Sequence, residues 1–271
     1  MDKIISVVIP TFNRQELTDR AVRSVFTCNP DLFEVLIVDD CGTVPYSFDS
    51  NHNGFGVEVR VLRSPTNQGP GLARKAGVSQ SRGSVICFLD SDDVFEHGWL
   101  DAVLKETLRS ESAFRDGLFV AGMTRGASAV QAGYAQILAH LPRPIQPMAI
   151  KLTTIAFNPF YTPATAISKQ LCQFWEAGSH CEDYFTNAMA IFRARRVFAL
   201  PIAACTISRS PGTPGGLSST RREMARGEFQ VRKAMLSSNS IPLGYRALIP
   251  FGMAYSIVRR TLKAILSLAN K

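Results

Sequence analysis

Ser84-Val85-Ile86-Cys87-Phe88-Leu89-Asp90-Ser91-Asp92-Asp93 is the stretch that decides the fold. Its apolar run is too short for a buried helix and reads as a strand covered on both faces, as in a parallel sheet. Three carboxylates crowd its carboxyl end. Working back toward the N-terminus, Ile4 to Ile9 is a second such run, which Pro10 is expected to stop, and Phe33 to Val38 is a third, ending in Asp39-Asp40. Val57 to Leu62 is a fourth, leading into a loop over 64–71. Asn13, with Glu16 three residues later, has the form of a capping box, and Leu17, Ala21 and Val25 recur on one face of the helix it would open. Residues 72–80 read as another helix, rich in small side chains. Strand, helix, strand, strand, helix, strand in this order predicts an open, mostly parallel α/β sheet flanked by helices. Such sheets bind ligands beyond the carboxyl ends of their strands, where both acidic clusters fall.

Toward the C-terminus the pattern is less regular. Asp101 to Leu108 continues a helix, Leu118 to Met123 and Ala164 to Ser168 read as strands, and Glu182 to Phe192 is helical by its spacing of Phe185, Met189 and Phe192. Ser208 to Thr220 is a flexible loop by composition. Beyond it, Phe251, Tyr255, Val258, Leu262, Ile265 and Ala269 mark one apolar helical face, with Arg259, Arg260 and Lys263 off it. The expected organisation is a catalytic unit over 1–207, with a nucleotide-binding half to about 110 and an acceptor half over 111–207, then the loop 208–220 and a basic helical extension over 221–271.

The 271 residues, 46% hydrophobic and 19% charged, exclude a disordered or fibrous chain. The net charge of +8 is unevenly placed. Residues 1–192 hold 16 basic and 20 acidic side chains, whereas 193–271 hold 14 basic and only Glu223 and Glu228 as acids. Six cysteines, with no CxxC pair, read as reduced thiols of a cytoplasmic protein. The N-terminal run lacks the small-residue cleavage site of a signal peptide, and no stretch reaches the roughly 20 apolar residues of a spanning helix.

The carboxylates Asp90, Asp92 and Asp93 repel one another, so something cationic should sit among them. A hard divalent ion, Mg2+ or Mn2+, shared with a diphosphate answers that need. An acid after a strand can also merely close a turn or cap the next helix, and Asp39 alone would suggest no more. Asn67-Gln68-Gly69-Pro70-Gly71-Leu72-Ala73-Arg74-Lys75 offers a glycine-containing loop, a helix N-terminus and two cations, a setting that favours phosphate. It is neither a Rossmann fingerprint nor a GxxxxGK loop. His180-Cys181 has no second ligand pair at zinc spacing.

Taken together, Val8-Ile9-Pro10-Thr11-Phe12-Asn13-Arg14, Leu36-Ile37-Val38-Asp39-Asp40, Asn67-Gln68-Gly69 through Ala73-Arg74, Phe88 to Asp93 and Glu182-Asp183 resemble the family 2 glycosyltransferases of GT-A fold over roughly residues 3–200. The resemblance implies transfer of a sugar from a nucleotide diphosphate donor to an acceptor hydroxyl with inversion. It implies Pro10 and Thr11 against the base and ribose, Asp39 as acceptor of a hydrogen bond from the base, and Arg74 near the base or diphosphate. Asn13, Arg14, Asn67, Gly69 and Ser91 complete the implied donor contacts. Asp90 and Asp92 match the DxD motif, Asp90 toward the ribose or sugar and Asp92 toward the metal, with Asp93 able to share it. Glu182-Asp183 matches the acceptor-side motif, in which Asp183 is the general base. No histidine follows His180, a departure from those GT-A enzymes whose metal shell a downstream histidine completes.

Two other functions compete with this one. A sugar-phosphate nucleotidyltransferase would need a glycine-rich, arginine-containing loop after the first strand, where this chain has Pro10-Thr11-Phe12-Asn13. A catalytically silent sugar-nucleotide-binding or scaffold subunit would have no use for the acids at 90, 92 and 183. The basic end lacks interleaved aromatics and any nucleic-acid-binding module, so nucleic acid is not expected. A basic amphipathic helix over 245–271 instead suits peripheral contact with the inner face of a membrane, where a lipid-linked glycan acceptor would lie, or packing on the catalytic unit or on a second subunit of a homodimer.

Overall fold

The computed structural model describes residues 3–25, 27–49, 56–109, 118–125, 147–172, 180–208 and 220–269. Strands β1 (Ile5–Thr11), β2 (Phe33–Asp39), β3 (Glu58–Arg63), β4 (Val85–Phe88), β5 (Val94–Phe95), β6 (Leu118–Arg125), β7 (Thr165–Ser168) and β8 (Arg196–Thr206) form one eight-stranded sheet in the order β3-β2-β1-β4-β7-β6-β8-β5. The half built from β3, β2, β1 and β4 is parallel; β7 runs antiparallel between β4 and β6, and β6 and β8 are parallel again. The helices are α1 (Gln15–Arg23), α2 (Pro70–Gln80), α3 (Trp99–Arg109), α4 (Pro147–Ala156), α5 (Glu182–Arg193), α6 (Arg221–Ser237), α7 (Leu243–Arg246) and α8 (Ile249–Ala269).

The continuous apolar runs are buried on both faces because helices cover both. Ile5, Val7 and Ile9 join Ala21, Val22 and Val25 of α1 and Trp99, Leu100 and Val103 of α3 in one core. On the other face, Val8, Ile86 and Phe88 pack with Ala73 and Val78 of α2, Ile150 of α4, and Ala190 and Ile191 of α5. A third cluster, including Tyr184, Met189, Val231, Met235 and Ile249, seats α6 and α8 on α5.

Three boundaries differ from the sequence reading. Pro10 does not stop β1, which continues to Thr11 with Pro10 opposite Val38. The ladder to β4 ends at Val8 and Phe88, and backbone bonds from Leu89 N–H to Val8 C=O and from Asp40 N–H to Thr11 C=O assign alternate residues to the two neighbours. The missing N–H of Pro10 therefore faces the side where pairing has already ended. Asn13 is not the cap of α1: Arg14 holds that position without a side-chain cap bond, while Asn13 sits at φ 55°. Its Oδ1 accepts the Thr43 N–H at 2.7 Å instead. Helix α2 begins at Pro70 rather than at 72, since proline suits a first helical position, and Gly69 before it takes φ 85°.

All six cysteines are unbonded. Among the described residues no helix is long and apolar enough to cross a membrane. Of the loop expected over 208–220, residues 209–219 lie outside the described ones.

Candidate active site

The carboxyl ends of β1, β2 and β4 and the start of α5 bring the sequence-predicted acids to one side of the sheet. Behind β2 the two acids shape loops. Asp39, 2% exposed, accepts the N–H of Gly42 at 2.8 Å and of Tyr46 at 3.0 Å, and pairs with Arg63. Burial alone would raise its pKa, but these three donors outweigh that and hold the carboxyl below its ordinary value. Asp40 accepts the Gln68 N–H at 3.0 Å and the Gly69 N–H at 2.7 Å, and Asn67 Oδ1 accepts the Gly69 N–H at 3.2 Å. Asp39 and the glycine loop are thus preorganised by the chain itself. Pro10 and Thr11 end β1 beside them, the Thr11 hydroxyl 2.6 Å from that of Thr18.

After β4 the chain turns tightly, with the Asp93 N–H donating to the Asp90 carbonyl at 3.0 Å and Ser91 buried within the turn. Asp90 and Asp92 keep part of their side chains in solvent, at 26% and 18%. Arg14 Nη1 lies 3.0 Å from Asp92 Oδ2, and Arg20 Nη2 donates to the Asp92 carbonyl at 2.6 Å. Asp93, which the resemblance lets share a metal, is set deeper than Asp90 and Asp92. It is 1% exposed, and its oxygens accept the Ser208 N–H at 2.9 Å and the Tyr161 hydroxyl at 3.0 Å. Burial, with the charges of Asp90 and Asp92, pushes its pKa up to about 7. Asp93 therefore ties the turn to the end of β8 and to Tyr161.

Helix α5 opens after a left-handed residue, Cys181, at φ 72°, and presents Glu182 and Asp183 in its first turn. Arg74 of α2, 5% exposed, reaches across to them. Its guanidinium pairs with Asp90 and, at 3.2 Å, with Glu182. Burial disfavours its charge, but Asp90, Glu182 and Asp183 more than compensate and keep it firmly protonated. Arg74, which the resemblance implies stands near the base or diphosphate, is a buried bridge from the turn after β4 to the acids that open α5. Asp183 accepts the Asn158 amide at 3.2 Å. Burial and then Glu182 push its pKa up to about 7, with Arg74 pulling the other way.

Asn158, Tyr161 and Arg20 carried no signal in the sequence, since each meets its partner across 25 to 72 residues of chain. His180 is occupied structurally, with Nε2 3.2 Å from Glu223.

The donor set fits a hard divalent ion. Asp90 and Asp92 supply carboxylate oxygens on an accessible turn, and among the described residues no third metal-binding side chain completes a cluster. Mg2+ or Mn2+ there would draw its remaining ligands from water or a diphosphate.

Residues 6–132 match the family model described as glycosyl transferase family 2. An uncharacterized glycosyltransferase of Rickettsia bellii is 35% identical over 104 residues, 38% of this chain and 15% of that protein. The poly(ribitol-phosphate) beta-N-acetylglucosaminyltransferase TarS of Staphylococcus aureus is 31% identical over 117 residues, 41% of this chain and 18% of that protein. The chain thus spans well under half the length of these curated relatives. In structure, TarS 1–349 in complex with UDP-GlcNAc superposes with a TM-score of 0.67 at 18% identity, covering 91% of this chain and 70% of that one. A mannosyltransferase of Pyrobaculum calidifontis in complex with GDP-Man and Mn2+ gives a TM-score of 0.64 at 14% identity, covering 98% of this chain and 76% of that one. The expected GT-A fold is the observed one.

Proposed function

From the match of residues 6–132 to the glycosyl transferase family 2 model, we propose that this chain is an inverting glycosyltransferase that moves a sugar from a nucleoside diphosphate donor to a hydroxyl of a glycan or lipid-linked glycan. The observation that carries this reading is Arg74, which joins Asp90 at the end of β4 to Glu182 at the start of α5. A single displacement needs a donor-side and an acceptor-side group on opposite faces of one anomeric carbon, and Arg74 fixes those two sides relative to each other.

Asp183 is the general base. It takes the proton of the acceptor hydroxyl as the oxygen attacks the anomeric carbon and the diphosphate leaves with the bonding electrons. A pKa near neutrality suits that task, because the group is ionised at working pH yet basic enough to accept the proton. Asp90 and Asp92 would hold Mg2+ or Mn2+, which supplies positive charge against the departing diphosphate. Arg14, beside Asp92, would meet phosphate oxygens, and the loops held by Asp39 and Asp40 would cradle the base and ribose, a reading supported by their preorganisation. A uridine nucleotide is the favoured donor, supported by the likeness to TarS, whose solved complex holds UDP-GlcNAc.

The C-terminal helix supports peripheral contact with a membrane as part of the same reading. Ile249, Gly252 and Ser256 of α8 are buried, whereas Phe251, Tyr255, Val258 and Leu262 are exposed, Phe251 at 72%. The described members of the predicted apolar face therefore point outward, and it is the opposite face that packs on the protein. No acid follows Glu228 in the chain, which suits an anionic lipid surface.

The test is a thermal-shift panel of nucleoside diphosphates with Mg2+ or Mn2+, followed by sugar transfer from the best donor. Stabilisation by one nucleotide that is lost with EDTA is expected. No shift with any nucleotide would overturn the reading.

A further inference from the structure

We propose that Asn158-Pro159-Phe160-Tyr161, the link from α4 to the 3-10 turn Thr162–Ala164, is a positioning segment in which Asn158 aims the Asp183 carboxylate. The inference rests on Asp183 being the base. The Asn158 amide has two distinct ends, and both are engaged. Its Oδ1 accepts the Phe160 N–H at 3.2 Å, which leaves Nδ2 as the end that donates to Asp183 Oδ2, also at 3.2 Å. A local backbone bond thus selects the amide orientation that a carboxylate partner needs.

The segment is held on both sides of the sheet. Phe160 is buried in the core shared with α2 and α5, while Tyr161 packs against the core on the opposite face, beside α1 and α3. Tyr161 is extended, at φ −99° and ψ 127°, so the two adjacent side chains diverge. The Tyr161 hydroxyl donates to Asp93 of the donor-side turn at 3.0 Å, and Thr162, Pro163 and Ala164 after it are buried. Four residues therefore run from the acceptor-side acid to the donor-side turn with little freedom between them. Around Asp183, Glu182 and Asp90 favour the neutral acid and Arg74 favours the carboxylate. Asn158 adds an uncharged donor on the carboxylate's side of that balance.

Titration of Asp183 in the full chain, followed by 13C NMR of aspartate-labelled protein with Asp183→Asn identifying the resonance, tests this. Asn158→Ala should raise the midpoint by about one pH unit, the shift expected for losing one hydrogen bond to a charged group. Asn158→Asp, of nearly the same shape, should raise it further by setting a second carboxylate opposite the first. Tyr161→Phe loosens the same segment but keeps the amide, so its midpoint should match the parent. Equal midpoints in the parent, Asn158→Ala and Asn158→Asp would overturn the proposal, as would a Tyr161→Phe shift as large as that of Asn158→Ala. Sugar transfer retained by Asp183→Asn would instead remove the base assignment, leaving the order of midpoints to judge the Asn158 contact separately.

Discussion

In its proposed role as base, Asp183 works only when it starts ionised, and neighbours rather than the residue type decide whether it does. Burial and Glu182 push its pKa up to about 7 against the pull of Arg74. The rate at saturating substrate should therefore climb with pH through about 7 and level off above it, with no comparable rise in Asp183→Asn. That variant should lose roughly 10² to 10⁴ in rate while binding nucleotide as before, which calorimetry with the nucleoside diphosphate would check. Arg74 has the reverse problem, a buried cation whose removal strands three acids. Arg74→Met should cost about 3–5 kcal/mol of unfolding free energy in urea titrations. The loss should be larger at pH 8, where Asp183 is ionised, than at pH 5.5, where it carries its proton. Asp90, Asp92 and Asp93 were legible in the sequence because carboxylates crowded at a strand end repel one another, whereas Glu182 and Asp183, in a first helical turn that favours acids anyway, stood out only through the family resemblance. What each one binds was not legible: Asp93 reads like Asp92 in the string, and only the fold turns it toward Tyr161 and Ser208.

Among the elements, the strands were readable where both faces are covered, since burial on both sides writes an unbroken apolar run. Strands β1, β2 and β4 fall within about two residues of their predicted limits. The start of α1 was not readable, because a capping-box spelling can be satisfied elsewhere, and Asn13 is used by the loop at Thr43. Helix α2 shows a different kind of information. Gly77 is buried against the sheet, and a Cβ there would run into Val8 and Val38, so the helix lies closer to β1 and β2 than any side chain permits. Gly77→Ala gains helix propensity of about 1 kcal/mol yet should destabilise the protein overall, by about 1–3 kcal/mol through overpacking. A lower urea midpoint with an unchanged slope is the expected result. Because α2 carries Arg74 three residues earlier on the same side, nucleotide binding should weaken in the same variant.

On the scale of the whole molecule, the uneven charge of the sequence becomes a spatial division. Asp39, Asp40, Asp90, Asp92, Asp93, Glu182 and Asp183 gather at the carboxyl ends of the strands and the start of α5, and the cations of the C-terminal part follow β8 into α6 and α8. Vesicles containing anionic lipid should float the full chain, and removal of residues 245–271 should abolish flotation; equal flotation of both would refute docking through α8. Glu228 modifies what such binding would look like. Its carboxylate accepts the Ser256 hydroxyl at 2.6 Å and lies 3.5 Å from Arg259 and 2.7 Å from Arg260, while Arg232 beside it is fully buried against α4 carbonyls and Tyr184. Arg232, Arg259 and Arg260 are thus drawn onto one carboxylate, gluing α8 to α6. What α8 itself turns outward is mostly greasy, with Phe251, Tyr255, Ile257, Val258 and Leu262 exposed. Attachment should accordingly survive added salt far better than a polybasic tail would: with the Debye length cut to about 3 Å at 1 M, most of the flotation seen at low ionic strength should remain.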